Sequence, residues 1–222
     1  MVVEFKEEGL KMKILELFAG TKSISKAFES RGHETFTIEL DKNHPNISFY
    51  GDVNKLSSTD ILNMTGHIDV IWASPPCTSY SIAGISHHRY YLNGELTAYS
   101  PCAIESDILL KHTIELIREI KPKYWFIENP RGGLRKMDFM QELAKYRYTV
   151  TYCQYGNITM KPTDIWTNHP NPKFKPMCKN GDPCHVPSPR GSAFGIQGMK
   201  GSVERSIIPP KLCEHIVDIC EE

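Results

Sequence analysis

No apolar run in this chain of 222 residues approaches the roughly 18 residues needed to cross a bilayer. Met1 to Lys13 mixes charges and lacks the apolar stretch of a secretory leader. There is no Cys-x-x-Cys pair, and the seven cysteines are an odd number, which argues against a disulfide framework. A reducing, cytoplasmic setting is the expectation. Net charge is also lacking: 26 Lys and Arg balance 26 Asp and Glu, so the whole chain is not a polycation. No internal repeat is visible, and the length suits one domain, or one domain with a small appendage.

What is present is unevenly placed. Lys161 to Lys211 holds eight Lys and Arg against three acids, a local charge of +5 that leaves −5 for the remainder. A basic C-terminal third suits a phosphate-facing surface, though a solvated loop is the simpler reading of the same charge. Residues 161–190 also hold seven of the fifteen prolines and little periodicity, so a loop-built insert is expected there.

Before the insert, strand-like and helix-like stretches alternate. Strands are expected at 13–18, 35–40, 68–73, 124–127 and 149–152, and helices at 23–31, 57–64, 104–120 and 136–145. In the long helix, Ile108, Leu109, His112, Leu116 and Ile120 share a face, and Pro122 stops it. Residues 77–101 read as irregular. The alternation implies an α/β domain with a parallel or mostly parallel sheet over residues 1–160. Residues 161–203 form the insert, and 204–222 hold a terminal helix with prolines at its start.

Ligands bind such sheets outside the carboxyl ends of the strands. Gly20, Glu39, Cys77 and Glu128 fall there. Phe18-Ala19-Gly20 makes a strand-to-helix turn whose glycine lets backbone approach a nucleotide-like cofactor, although a plain turn would look the same. Glu39, near the end of the next strand, suits ribose hydroxyls; a surface acid is the plain alternative. Two prolines fix the backbone before Cys77, and Glu128 ends another apolar run fifty-one residues later. Taken singly, these two are a structural thiol and an ion-paired acid. Together they supply a nucleophile and a proton partner at one sheet edge.

The order of these segments resembles the DNA (cytosine-5) methyltransferases, small members of phage origin in particular. Leu17-Phe18-Ala19-Gly20 resembles their first motif, Glu39 the second and Gly51-Asp52-Val53 the third. Ser74-Pro75-Pro76-Cys77-Thr78-Ser79-Tyr80-Ser81 is similar to the nucleophile motif, and Ile127-Glu128-Asn129-Pro130 to the segment carrying the acid. Ser206-Ile207-Ile208-Pro209-Pro210 resembles the last motif.

The resemblance implies a class I S-adenosylmethionine-dependent methyltransferase, Rossmann-like, with a small irregular target-recognition insert. Phe18, Ala19, Gly20, Thr21, Glu39, Leu40, Asp52, Val53, Pro75 and Ser206 would bind S-adenosylmethionine. Cys77 would add to C6 of a flipped-out cytosine and Glu128 would assist at N3. Pro76, Thr78, Ser81, Asn129, Lys161, Thr163, Arg190 and Gln197 would contact substrate or DNA. His87, His88 and Arg89 would lie near phosphates, on a loop that a flexible exposed segment would equally describe. Lys161 and Thr163 stand where the family carries an arginine pair, and Arg205 where it carries asparagine. An RNA cytosine methyltransferase and a catalytically silent DNA-binding relative share most of these features. A thiol hydrolase is disfavoured, since no histidine takes a strand-end position. The insert's Cys178, Cys184 and His185 are zinc candidates, with Cys153 or His169 to complete them. Their Cys-x5-Cys-His spacing is not a standard one, so no bound metal is expected.

Overall fold

The computed structural model describes residues 11–187 and 201–222. Arg190 and Gln197 lie outside the described residues. Among the described residues the α-helices are α1 (Ser23–Ser30), α2 (Ser58–Thr65), α3 (Pro101–Ile120), α4 (Ser202–Ser206) and α5 (Pro210–Glu221). The strands are β1 (Lys13–Leu17), β2 (Glu34–Glu39), β3 (Phe49–Tyr50), β4 (Val70–Ala73), β5 (Arg89–Leu92), β6 (Glu95–Ala98), β7 (Tyr124–Pro130), β8 (Arg147–Thr151) and β9 (Pro162–Thr167). Seven of them form one sheet in the order β3-β2-β1-β4-β7-β9-β8. Neighbours from β3 to β7 pair in parallel, and β9 runs antiparallel to both β7 and β8.

Each face of the sheet is covered, which explains why β1 and β4 read as continuous apolar runs. On one side Ile24 and Phe28 of α1 pack with Leu212, Ile216 and Val217 of α5 over Trp72 and Phe126. Arg31 clasps this pair of helices, reaching Asp218 at 2.6 Å and Glu221 at 2.9 Å. On the other side Ile61 of α2 and Leu110, Ile114 and Ile117 of α3 cover Leu15, Ile71 and Ile127. The helix boundaries follow local chemistry. Ser57 and Asp60 form a reciprocal capping box at α2. Ser100 caps α3 ahead of Pro101, and Lys121 closes it in the left-handed region before Pro122. No helix among the described residues is long and apolar enough to cross a membrane.

The structure corrects several expectations. The stretch 77–101 is not wholly irregular, because β5 and β6 form an antiparallel hairpin. Its turn is Asn93-Gly94, both at positive φ (51° and 87°), the combination a two-residue hairpin requires. The buried stripe of α3 is Ala103, Leu110, Thr113, Ile114, Leu116 and Ile117, while Ile108 is exposed. Thr113 can face inward because its hydroxyl donates to Leu109 O at 2.8 Å. The segment expected as a helix at 136–145 is a 3-10 helix, Asp138–Tyr146. Pro162–Thr167, expected to open the insert, is instead strand β9 inside the main sheet. Beyond it, residues 168–187 hold no helix or strand.

Candidate active site

Five strands point their carboxyl ends the same way, and the loops that follow β1, β4 and β7 enclose a cavity of about 480 Å³. After β1 the chain turns sharply: Phe18 and Gly20 take φ of 59° and 46°. The turn is fixed from the neighbouring strand, because Ala19 N donates to Ile38 O (3.1 Å) and Gly20 N to the Glu39 carboxylate (2.9 Å). Phe18, Ala19, Gly20 and Thr21 therefore form one wall. Glu16 lies at the base of that wall and is buried. Its carboxylate accepts from Ser25 N at 2.8 Å and Ile24 N at 3.4 Å, satisfying the N-terminus of α1, which has no cap of its own. Burial raises this carboxyl to about 7 in spite of those hydrogen bonds.

The opposite wall is built by β4 and β7. Their register sets Ala73 opposite Ile127, so the chain leaving β4 runs through Ser74-Pro75-Pro76-Cys77 beside Glu128. Asn129 locks the two together, its amide donating to Pro75 O at 3.1 Å. Cys77 O accepts from Tyr80 N and Ser81 N, and Gly133 N donates to Tyr80 O at 2.7 Å. A side chain at Gly132 would strike Tyr80 O at 2.4 Å, so the loop after Cys77 seats directly on the chain leaving β7. Cys77 and Glu128 both line the cavity. Burial pushes the Cys77 thiol up, and the Glu128 carboxylate adds to that, while Lys161 and Arg205 pull it back. Burial likewise pushes the Glu128 carboxyl up, against Lys161 and a 3.0 Å hydrogen bond from Tyr152 OH. Lys161 lines the same space at φ 26°, lies over the Tyr152 ring at 4.5 Å and donates to Arg205 O at 2.6 Å. A thiol, a carboxyl and an ammonium group thus meet in one enclosure, and the cation acts on both acids.

A family model described as C-5 cytosine-specific DNA methylase matches residues 12–158, the segment that carries both walls. The chain belongs to this family. It is 31% identical to a probable DNA (cytosine-5)-methyltransferase of Frog virus 3 (isolate Goorha), over 94% of this chain and the whole of that protein. It is 26% identical to the type II methyltransferase M.FnuDI of Fusobacterium nucleatum, over 63% of this chain and 40% of that protein. A solved structure of the Entamoeba histolytica methyltransferase EhMeth is 16% identical, with a TM-score of 0.49, and the match covers 71% of this chain and 52% of that one.

Within this methylase the cavity gathers most of the residues expected from sequence. Cys77, Glu128, Phe18, Ala19, Gly20, Thr21, Pro75, Pro76, Thr78, Ser81, Lys161 and Ser206 all line it. Others do not. Glu39 spends its carboxylate on Gly20, Leu40 and Asp41 N–H groups. Leu40 is exposed, Val53 is buried, and Asp52 caps the 3-10 turn at Asn54. Asn129 is buried as the tie described above. Thr163 of β9, expected at the substrate, has no exposed surface and donates to Lys161 O. Arg89, expected near phosphates, is buried with Asp107 at 2.6 Å and lies over the Tyr80 ring at 4.3 Å. His88 pairs with Ser100 Oγ at 2.8 Å, where α3 begins. Of the zinc candidates, Cys178, Cys184 and His185 converge with Cys153, whereas His169 bonds Ile219 O. The cavity wall also holds Glu16, Ser23, Ala83 and Gly84, which had no role in the sequence expectations, and Ser74, Pro130 and Ile208, which stand within the quoted motifs but were given no role. A carboxyl inside the apolar run of β1 was the one available signal for Glu16.

Proposed function

We propose that this chain transfers a methyl group from S-adenosylmethionine to C5 of cytosine in DNA, with Cys77 as nucleophile and Glu128 as proton donor. The observation that carries the reading is the thiol, on the loop leaving β4, and the carboxyl, in the adjacent parallel strand β7, facing one cavity beside Lys161. A cofactor of this kind suits the enclosure. The volume falls in the range of small-molecule sites. Phe18, Pro75 and Ile208 offer apolar surface, Gly20 and Thr21 a turn, and Ser23 and Glu16 polar atoms at the start of α1. Those residues would hold the cofactor, and Glu39 supports them by fixing Gly20. When bound, S-adenosylmethionine supplies an electrophilic methyl group.

A cytosine inside a duplex is closed by stacking, so the target base is flipped into the pocket. Cys77 Sγ then forms a bond to C6 as the thiolate. The ring gains a negative charge, which Glu128 relieves by donating its proton toward N3. C5 becomes nucleophilic and takes the methyl group. Loss of the C5 proton to a base and breaking of the C6–S bond re-form the double bond and return the thiolate, and N3 gives its proton back to the Glu128 carboxylate. Lys161 favours the thiolate while Glu128 is still protonated.

Labelled S-adenosylmethionine tests the assignment. The Cys77→Ser variant should transfer no label to DNA yet bind the cofactor with unchanged affinity by calorimetry. Undiminished transfer in that variant would sink the assignment. Label appearing in tRNA and not in DNA would move the substrate to RNA.

A further inference from the structure

The structure assigns a zinc site to Cys153, Cys178, Cys184 and His185, at the edge of the sheet and away from the cavity wall. Cys153 sits in the 3-10 turn Tyr152–Tyr155 that follows β8, and the other three lie in the coil after β9. Their ligand atoms all fall within 4.8 Å of one another. Cys153 Sγ is 3.0 Å from Cys178 Sγ and 3.6 Å from Cys184 Sγ. His185 Nδ1 is 3.7 Å from Cys178 Sγ and 3.5 Å from Cys184 Sγ. A tetrahedral zinc ion with bonds of about 2.3 Å to sulfur and about 2.0 Å to nitrogen would separate its ligands by roughly 3.5–3.8 Å. Three of these four contacts match the edges of such a tetrahedron, and the Cys153–Cys178 pair, at 3.0 Å, would open by less than an ångström to admit the ion. The donor set of three thiols and one imidazole selects zinc over calcium or magnesium, which take oxygen ligands.

The surroundings are those of a built site. Cys153, Cys178 and His185 are buried. Cys178 N donates to Thr151 Oγ1 at 3.1 Å, and Gln154 Nε2 approaches Cys184 Sγ at 3.6 Å. The loop between the two cysteines is closed by Asp182 N to Lys179 O and by Lys179 N to Asp182 Oδ2 (2.7 Å). Val186 N pins the far side to Ile158 O at 3.0 Å. His185 Nε2 is buried with no hydrogen-bond partner among the described residues. Its ring is therefore oriented by whatever Nδ1 meets, and Nδ1 faces the sulfurs. All seven cysteines are free thiols.

The fold gives such an ion work. In residues 168–187 the buried positions are His169, Pro172, Cys178 and His185, with no aliphatic side chain among them. A segment without an apolar core is held by a metal staple where a larger one would use burial. Zinc would tie this basic segment to the end of β8. The inference does not depend on the methyl-transfer reading.

The test uses the full chain expressed in zinc-containing medium. Native mass spectrometry and elemental analysis should find one zinc ion per chain. After chelation, titration with Co²⁺ should give the intense visible bands of a tetrahedral thiolate site, saturating at one equivalent. Cys184→Ser, at the least buried ligand, should weaken zinc binding at least about 100-fold, and Cys102→Ser should leave it unchanged. A wild-type chain free of zinc whose Co²⁺ spectrum stays weak and octahedral would overturn the assignment. So would full zinc content in a Cys178→Ser/Cys184→Ser double variant. Should the variants fail to fold, the wild-type titration still decides.

Discussion

Negative charge on both Cys77 and Glu128 would repel inside a largely buried cavity, so their protons are linked. Each acid is raised by burial, and the Glu128 carboxylate raises the thiol further. Protonating Glu128 removes that second influence and leaves Lys161 and Arg205 to favour the thiolate. The reactive form, thiolate beside neutral carboxyl, therefore exists over the pH range between two apparent values that belong to the pair. Glu128→Gln separates the effects. It removes the carboxylate charge, so Cys77 should be alkylated by iodoacetamide at lower pH than in the wild type. It also removes the proton donor, so methyl transfer should fall by about 10²–10⁴-fold. An alkylation profile that does not move, followed by peptide mass spectrometry at Cys77, would break the link between the two groups. Both residues could be read from sequence because each ends an apolar run. Lys161 was read as a contact with DNA. Its action on both acids was not readable, since that depends on its own positive φ just before β9 and on Tyr152 beneath it.

At the level of elements, β1 and α1 carry a cost that the sequence hides. Glu16 is a buried carboxyl in β1, an interior strand held between β2 and β4, and it serves as the missing cap of α1. Its value rises from 4.5 to about 7 in the folded chain. A folded-state value above the unfolded one means the native state holds the proton more tightly. Stability is then full below about pH 4.5 and is lost as pH rises through about 7, by an amount on the order of 3 kcal/mol. Glu16→Gln keeps the shape and removes the charge. Its melting temperature minus that of the wild type should grow as pH increases from 5 to about 8. A difference that stays flat across that range would refute the titration of Glu16. The same contrast between local and distant causes explains the strands. β1, β4 and β7 are apolar in sequence order, so they are visible locally. β9 is not, because it opens with Pro162 and buries Thr163, Asp164 and Thr167. Asp164 is tolerated there through Arg135 and Thr149, partners that no window around β9 contains. The Asn93-Gly94 hairpin was missed for the opposite reason. Its turn signal is plain, but Tyr90, Tyr91 and Leu92 are all exposed and show no alternation.

For the whole molecule, a net charge of zero conceals an uneven division along the sequence. The +5 of residues 161–211 belongs to the end of the chain that supplies Lys161, Arg205 and Ser206 to the cavity wall. The balancing −5 lies in the rest of the sequence, which carries the other strands and helices. Cations of this segment that face a polyanion would orient its encounter with a chain that is neutral as a whole. Lys179 tests this division, since it is exposed in the loop between Cys178 and Cys184. Each phosphate contact contributes about −0.9 to the slope of log affinity against log salt concentration. Lys179→Gln should therefore make that slope shallower by about 0.9 on duplex DNA. Lys26→Gln, an exposed change on α1 within the acidic portion, should leave the slope where it was. Fluorescence anisotropy over a salt series reads both variants directly. Equal slopes for wild type and Lys179→Gln would remove this loop from the DNA-facing surface, and a shallower slope for Lys26→Gln would move that surface to the opposite portion of the chain.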